Sequence, residues 1–166
     1  MAVLPIRNYP DPVLKEKTQP VDVIDDDLRK LIKNMVDTMY AAPGVGLAAN
    51  QVGVLKRVVV VDVDENLMVL INPEITWYGD EMEDSDEGCL SVYPDKIHVT
   101  VPRPKKIRMK AMNENGETVE FEAEGLLARA LQHEMDHIDG KVILDRTGPE
   151  ERKSALREIT EQMRMG

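Results

Sequence analysis

The chain has 166 residues, 42% hydrophobic and 31% charged, a composition that suits one globular domain spanning residues 1–166. A formal net charge of −10 and only 4% aromatic residues exclude passive attachment to nucleic acid or to an anionic membrane. The single cysteine, Cys89, excludes an intrachain disulfide and favours a reducing compartment.

Pro5, Pro10, Pro12 and Pro20 make residues 1–24 an extended, turning arm, because each fixes its own φ and disfavours helix in the residue before it. Met1–Arg7, interrupted by Pro5, lacks the apolar core of a secretory leader. No apolar run approaches the roughly 18 residues of a membrane span, so no membrane partner and a cytoplasmic location are expected. Asp25, Asp26 and Asp27 then favour a helix N-terminus and its dipole. Leu28, Leu31, Ile32, Met35, Val36 and Met39 follow as a helical stripe, which Pro43-Gly44 stops.

Val58–Val61 has the branched, uninterrupted apolar character of a buried strand, and Met68–Ile71 is its expected partner across Asp64-Glu65-Asn66. Six of the eight residues from Asp80 to Glu87 are acidic, which predicts a solvated loop for most of that run. Ile97–Val101 and Ile107-Met109-Ala111 alternate as strands do, His98 falling in the first as a structural or surface histidine. Asn115-Gly116 turns the chain into Val119-Phe121-Ala123. Leu126, Leu127, Ala130 and Leu131 lead a deeply packed helix that ends near Asp139-Gly140. Thr147-Gly148-Pro149-Glu150 reads as a capping box before a terminal helix with Leu156, Ile159 and Met163 inward. The fold class is α+β: antiparallel sheets packed around a central helix, with a C-terminal helix.

That central helix carries Gln132-His133-Glu134-Met135-Asp136-His137, an H-E-x-x-H motif holding two of the chain's three histidines. Residues four apart share a helix face, so His133 and His137 can grip one divalent ion together. Glu134, about 100° round the helix, points at the edge of such a site, where a carboxylate can accept a proton from water. A catalytic ion of this kind usually takes a third protein ligand. A histidine six residues after the motif is excluded, because that position is Ile143. On the residues alone Glu158 and Cys89 both remain. Glu158 lies on the terminal helix, and Cys89 lies in Glu87-Gly88-Cys89-Leu90-Ser91, where Gly88 permits close approach.

Gly44-Val45-Gly46-Leu47-Ala48-Ala49-Asn50-Gln51, Glu87-Gly88-Cys89-Leu90-Ser91 and Gln132–His137 together resemble the three signature motifs of peptide deformylases, in order and approximate spacing. The resemblance runs from Tyr9-Pro10-Asp11-Pro12-Val13-Leu14 to the terminal helix. It implies a deformylase-like fold and removal of the N-formyl group from formyl-methionyl nascent peptides. It further implies Cys89, His133 and His137 as metal ligands, with Fe(II) as the usual ion and Zn(II), Ni(II) or Co(II) as substitutes. Glu134 is implied as the acid/base, with Gln51 and the Leu90 N–H stabilising the oxyanion. Val45, Gly46, Gly88 and Leu126 are implied substrate contacts, and Arg129 stands where an apolar pocket residue is expected. Glu87 is expected to support the loop or orient a metal-site group. An arginine that some relatives carry after the cysteine motif is absent, with Lys96 nearby. Ribosome association, implied for some relatives through a basic terminal helix, is not supported here. Arg152, Lys153, Arg157 and Arg164 are balanced by Glu150, Glu151, Glu158 and Glu161.

Overall fold

Asp25 caps the first helix, its carboxylate accepting the Leu28 N–H at 2.9 Å, in a computed structural model that describes residues 2–165 of the chain. This helix, α1 (Asp26–Ala41), buries Leu28, Ile32, Met35 and Met39 in one cluster with Leu47, Val58 and Val60. The expected stripe therefore faces a sheet. Ahead of it, among the described residues, the proline-rich arm contains one short 3-10 turn, Pro12–Lys15, and otherwise runs without helix.

Five antiparallel strands form the main sheet: β1 (Gly46–Ala48), β2 (Val58–Val63), β3 (Asn66–Tyr78), β6 (Lys106–Met112) and β7 (Thr118–Glu124), in that spatial order. β2 pairs with β3 as foreseen, Val58 opposite Ile71 and Val61 opposite Met68. Asp64 and Glu65 turn between them at φ 56° and 60°, left-handed values that match the strand twist. β3 outruns the four residues anticipated and shifts register between Ile71 and Glu74. Within that irregularity Asn72 binds the arm, accepting from Val21 N at 2.7 Å and donating to Val21 O at 2.9 Å. Ile107, Met109 and Ala111 of β6 face the core as their alternation requires.

The acidic run is not a loop. Met82–Glu87 is strand β4, paired with β5 (Val99–Pro104) in a separate two-stranded sheet, from Met82 opposite Pro104 to Glu87 opposite Val99. The backbone of β5 satisfies its ladder, its carboxylates stay in water, and only Glu87 is buried. β5 itself begins at Val99, so His98 precedes the strand and is exposed.

Helix α2 (Gly125–Ile138) packs Ala128, Leu131, Met135 and Ile138 against Val59, Val61, Leu70, Ile107 and Met109. The last helix, α3 (Pro149–Met165), buries only Ala155 and Ile159, against a cluster that includes Val99, Val101, Ile143 and Leu144. Leu156 is partly buried there, whereas Met163 is exposed because the helix runs on past this cluster. The expected capping box does not form. The Thr147 hydroxyl, with one proton to give, lies between two acceptors, Thr100 O at 2.7 Å and the Glu151 carboxylate at 2.8 Å, and the helix starts one residue too late for it to cap.

Candidate metal centre

His133 and His137 sit one turn apart on the buried face of α2, and their Nε2 atoms approach to 3.2 Å. Cys89, in the loop after β4, brings Sγ to 3.2 Å from His137 Nε2. The three ligand atoms lie within 4.8 Å of one another, all buried, the one such cluster of His, Cys and carboxylate donors among the described residues. Neither Glu158, hydrogen-bonded by Gln162 on α3, nor Ile143, buried in the core, belongs to it.

The donor set fits a divalent ion. Ligand bonds of about 2.0–2.3 Å around a tetrahedron separate N and S ligand atoms by roughly 3.3–3.6 Å, close to the spacing seen. His133 Nδ1 donates to Glu87 Oε1 at 3.0 Å, which commits that proton and leaves Nε2 facing His137. Burial, and then the neighbouring His133, hold His137 well below the usual histidine value, so it presents a lone pair. For His133, burial works in the same direction but is outweighed by hydrogen bonds to Cys89 and Glu87, and its value is raised. Two imidazole nitrogens and a sulfur are thus aimed at one another.

Glu134 lies beside this cluster and 4% exposed, and its Oε1 has no protein partner among the described residues. Burial pushes its carboxyl up to about 7. Gln51, on a 3-10 turn (Ala49–Val52) after β1, accepts from Ala48 N at 2.9 Å and donates Nε2 to Ser91 Oγ at 3.1 Å, 3.9 Å from Cys89 Sγ.

A cleft of about 350 Å³ opens onto these groups. Of the site residues that the resemblance implies, all except His137 line it: Val45, Gly46, Gln51, Gly88, Cys89, Leu90, Leu126, His133 and Glu134. Val45 and Leu126 are large apolar residues left about half exposed there. Glu87 is on the lining as well, orienting His133. Arg129 lines the cleft but is not free in it, because its guanidinium donates to Glu87 Oε2 at 2.6 Å, to Val101 O at 2.9 Å and to Glu83 O at 2.7 Å. Lys96 lines a different, shallow groove beneath α3, while His98 borders both and packs on Gly88.

Sequence reasoning missed Ser91, Arg103 and Asp136. Arg103 donates Nε and Nη2 to Glu87 at 2.6 and 2.9 Å and Nη1 to Asp136 at 2.9 Å, with all three side chains nearly inaccessible. These contacts and that of His133 hold the Glu87 carboxyl down to about 2 against the opposing effect of burial. A charged residue at an inward strand position, such as Arg103 between Val101 and the end of β5, is the signal that a buried partner exists.

The family model for polypeptide deformylase matches residues 3–153. Peptide deformylase 1 of Ralstonia nicotianae is 52% identical over 152 residues, covering 90% of this chain and 89% of that protein. The peptide deformylase of Thermodesulfovibrio yellowstonii is 49% identical over 158 residues, covering 92% and 94%. The crystal structure of a peptide deformylase from Legionella pneumophila superposes with a TM-score of 0.92 at 40% identity, covering 99% of this chain and 97% of that one. A match of this extent, together with a Cys-His-His cluster beside a buried glutamate, establishes that the chain belongs to the polypeptide deformylase family.

Proposed function

We propose that this protein is a metal-dependent hydrolase that removes the N-formyl group from the N-terminal formyl-methionine of nascent polypeptides and releases formate. The observation that carries the reading is the convergence of Cys89, His133 and His137 beside a buried, unpartnered Glu134 carboxylate at the base of a cleft. Residues 1–166 act as a single catalytic domain, and the site of action is the cytoplasm.

Cys89 Sγ and the Nε2 atoms of His133 and His137 hold one ion, which we take to be Fe(II), with Zn(II), Ni(II) or Co(II) able to replace it. One thiolate and two imidazoles form a donor set suited to such borderline divalent ions. The bound ion supplies Lewis acidity toward water and the formyl oxygen. Glu134 takes a proton from the attacking water on its free Oε1 and later passes it to the leaving amine, a role suited to a carboxyl held near 7. Water thereby adds to the formyl carbon, the C–N bond breaks, and formate and a free amino terminus result. The Gln51 side-chain amide and the Leu90 N–H stabilise the charge that develops on the formyl oxygen.

Val45 and Leu126, left half exposed in the cleft, suit an apolar methionine side chain, and Gly46 and Gly88 leave room for a peptide backbone to approach. Acids and bases alternate along α3, so charge-driven ribosome docking forms no part of the proposal.

Formate release from formyl-Met-Ala-Ser, by protein purified anaerobically with Fe(II), tests the reading. Rapid release that disappears in a folded Glu134→Ala variant is expected. Absence of release from metal-loaded wild-type protein would overturn the assignment.

A further inference from the structure

Helix α2 separates two recesses. The cleft lies on one side, and a groove of about 610 Å³ lies on the other, lined by Arg57, Tyr78, Asp136, Asp139 and Arg146 among others. We infer that Arg146, on the groove side, is a positioning residue for the metal centre and acts through Asp136, Arg103 and Glu87 on His133. The inference rests on the reading of Cys89, His133 and His137 as metal ligands.

The connection is continuous and each link is short. Arg146 Nη2 donates to Asp136 Oδ1 at 2.9 Å and its Nε donates to Asp136 Oδ2 at 3.2 Å. Arg103 Nη1 donates to that same Oδ2 at 2.9 Å, and its other edge grips both oxygens of Glu87. Glu87 Oε1 then accepts from His133 Nδ1 at 3.0 Å.

Two features make Arg146 more than the end of a chain of contacts. Its grip on Asp136 is two-pronged, so it fixes the plane of the carboxylate as well as its position. Asp136 has only Arg103 besides Arg146 as a side-chain partner among the described hydrogen bonds. Without Arg146 the carboxylate is free to turn into the groove, taking one of Arg103's three charge-assisted bonds with it. Arg103 is only 5% exposed where it borders that groove, so losing the Asp136 acceptor tilts its guanidinium and carries Glu87 with it. His133 then loses the fixed acceptor that sets which nitrogen is protonated and where the ring points. Arg129 holds Glu87 from the other side and limits the displacement, which makes a graded effect the expectation.

The test uses the full chain loaded with Co(II). It compares Co(II) release to excess chelator and the visible absorption spectrum in wild type, R146A, R146K and R57A. Arg57 lines the same groove and pairs with Asp139 at 3.0 Å, but it does not touch Asp136. Losing a direct partner of a ligand costs about 10–100-fold in metal affinity, so at three removes R146A is expected to release Co(II) roughly 3–10-fold faster. Its spectrum should shift, R146K should recover part of both effects, and R57A should match wild type. R146A that keeps the wild-type release rate and spectrum would overturn the inference, as would R57A equalling R146A. Wild type that fails to retain Co(II) would instead overturn the ligand reading. Should R146A not fold, R146M, which keeps the aliphatic stem, carries the same comparison.

Discussion

Gly46 lies so close to Glu134 that a Cβ built on it would stand 2.7 Å from the carboxylate Oε2 and 3.0 Å from Cγ. The glycine is thus one wall of the carboxylate's cage. G46A must displace a buried side chain that has little room to give. Displacing a catalytic group by about 1 Å can cost on the order of 100-fold in rate. We expect G46A to lose about that much in kcat/KM for formyl-Met-Ala-Ser while circular dichroism and metal content stay near wild type. Activity within threefold of wild type would show that Glu134 tolerates the shift.

Gln51 spends its carbonyl on Ala48 N and aims its amide nitrogen at Ser91 Oγ, near Cys89. Removing a preorganised oxyanion donor typically lowers kcat by about 10²–10³. Q51A is expected to show a fall of that size with KM changed far less, as steady-state kinetics will reveal. A change confined to KM would place Gln51 in ground-state binding instead.

Glu87 is the common acceptor of Arg103, Arg129 and His133. E87A leaves two nearly inaccessible guanidinium groups without their main partner, and breaking a buried pair in this way costs about 3–5 kcal/mol. Urea unfolding should show that loss in the apo protein, where metal binding contributes nothing. A loss under about 1 kcal/mol would mean that water or Asp136 compensates.

Asp145 ties the arm to the segment before α3, accepting from Lys15 Nζ at 2.5 Å and Val142 N at 2.9 Å. Partial burial works to raise its carboxyl, but the Lys15 and Val142 hydrogen bonds outweigh that, and its value is lowered. A group lowered on folding contributes stability above its unfolded value, about 3.9 for Asp, and loses it as pH falls through the folded value. D145A should therefore melt below wild type at pH 7, with the gap narrowing below about pH 4. A gap in thermal midpoint that is unchanged between pH 7 and pH 3 would assign the effect to packing.

Much of the fold was legible because local and tertiary requirements agree. Asp25 and the stripe from Leu28 to Met39 specify α1 by capping and by period, and the tertiary core needs that same face. The β2–β3 hairpin is similarly overdetermined by the run Val58–Val61. The acidic β4 was not legible, since nothing in its side chains favours a strand and only the distant backbone of β5 supplies its ladder. The alternation of Ile97–Val101 announced the start of β5, but its continuation was hidden behind Pro102 and Pro104, which a two-stranded ribbon tolerates because its outer edge is unpaired. The two histidines proposed as ligands stood out by their spacing four apart, whereas Cys89 stood level with Glu158 on the residues alone and was favoured through the resemblance. Arg103 and Asp136 did not stand out, because their pairing spans 33 residues and depends on how β5 crosses α2.

The burial of α2 fixes how long the site can outlast disturbance. Ala128, Leu131, Met135 and Ile138 anchor the helix in the central cluster, and His137 itself is 1% exposed. Amide protons along His133–Ile138 should therefore exchange with deuterium only through the rarest, most extensive openings, far more slowly than those of α3, where Ala155 and Ile159 are the buried residues. Segments such as α3 can fray and re-form with the catalytic groups in register, whereas any excursion that frees α2 dismantles both recesses together.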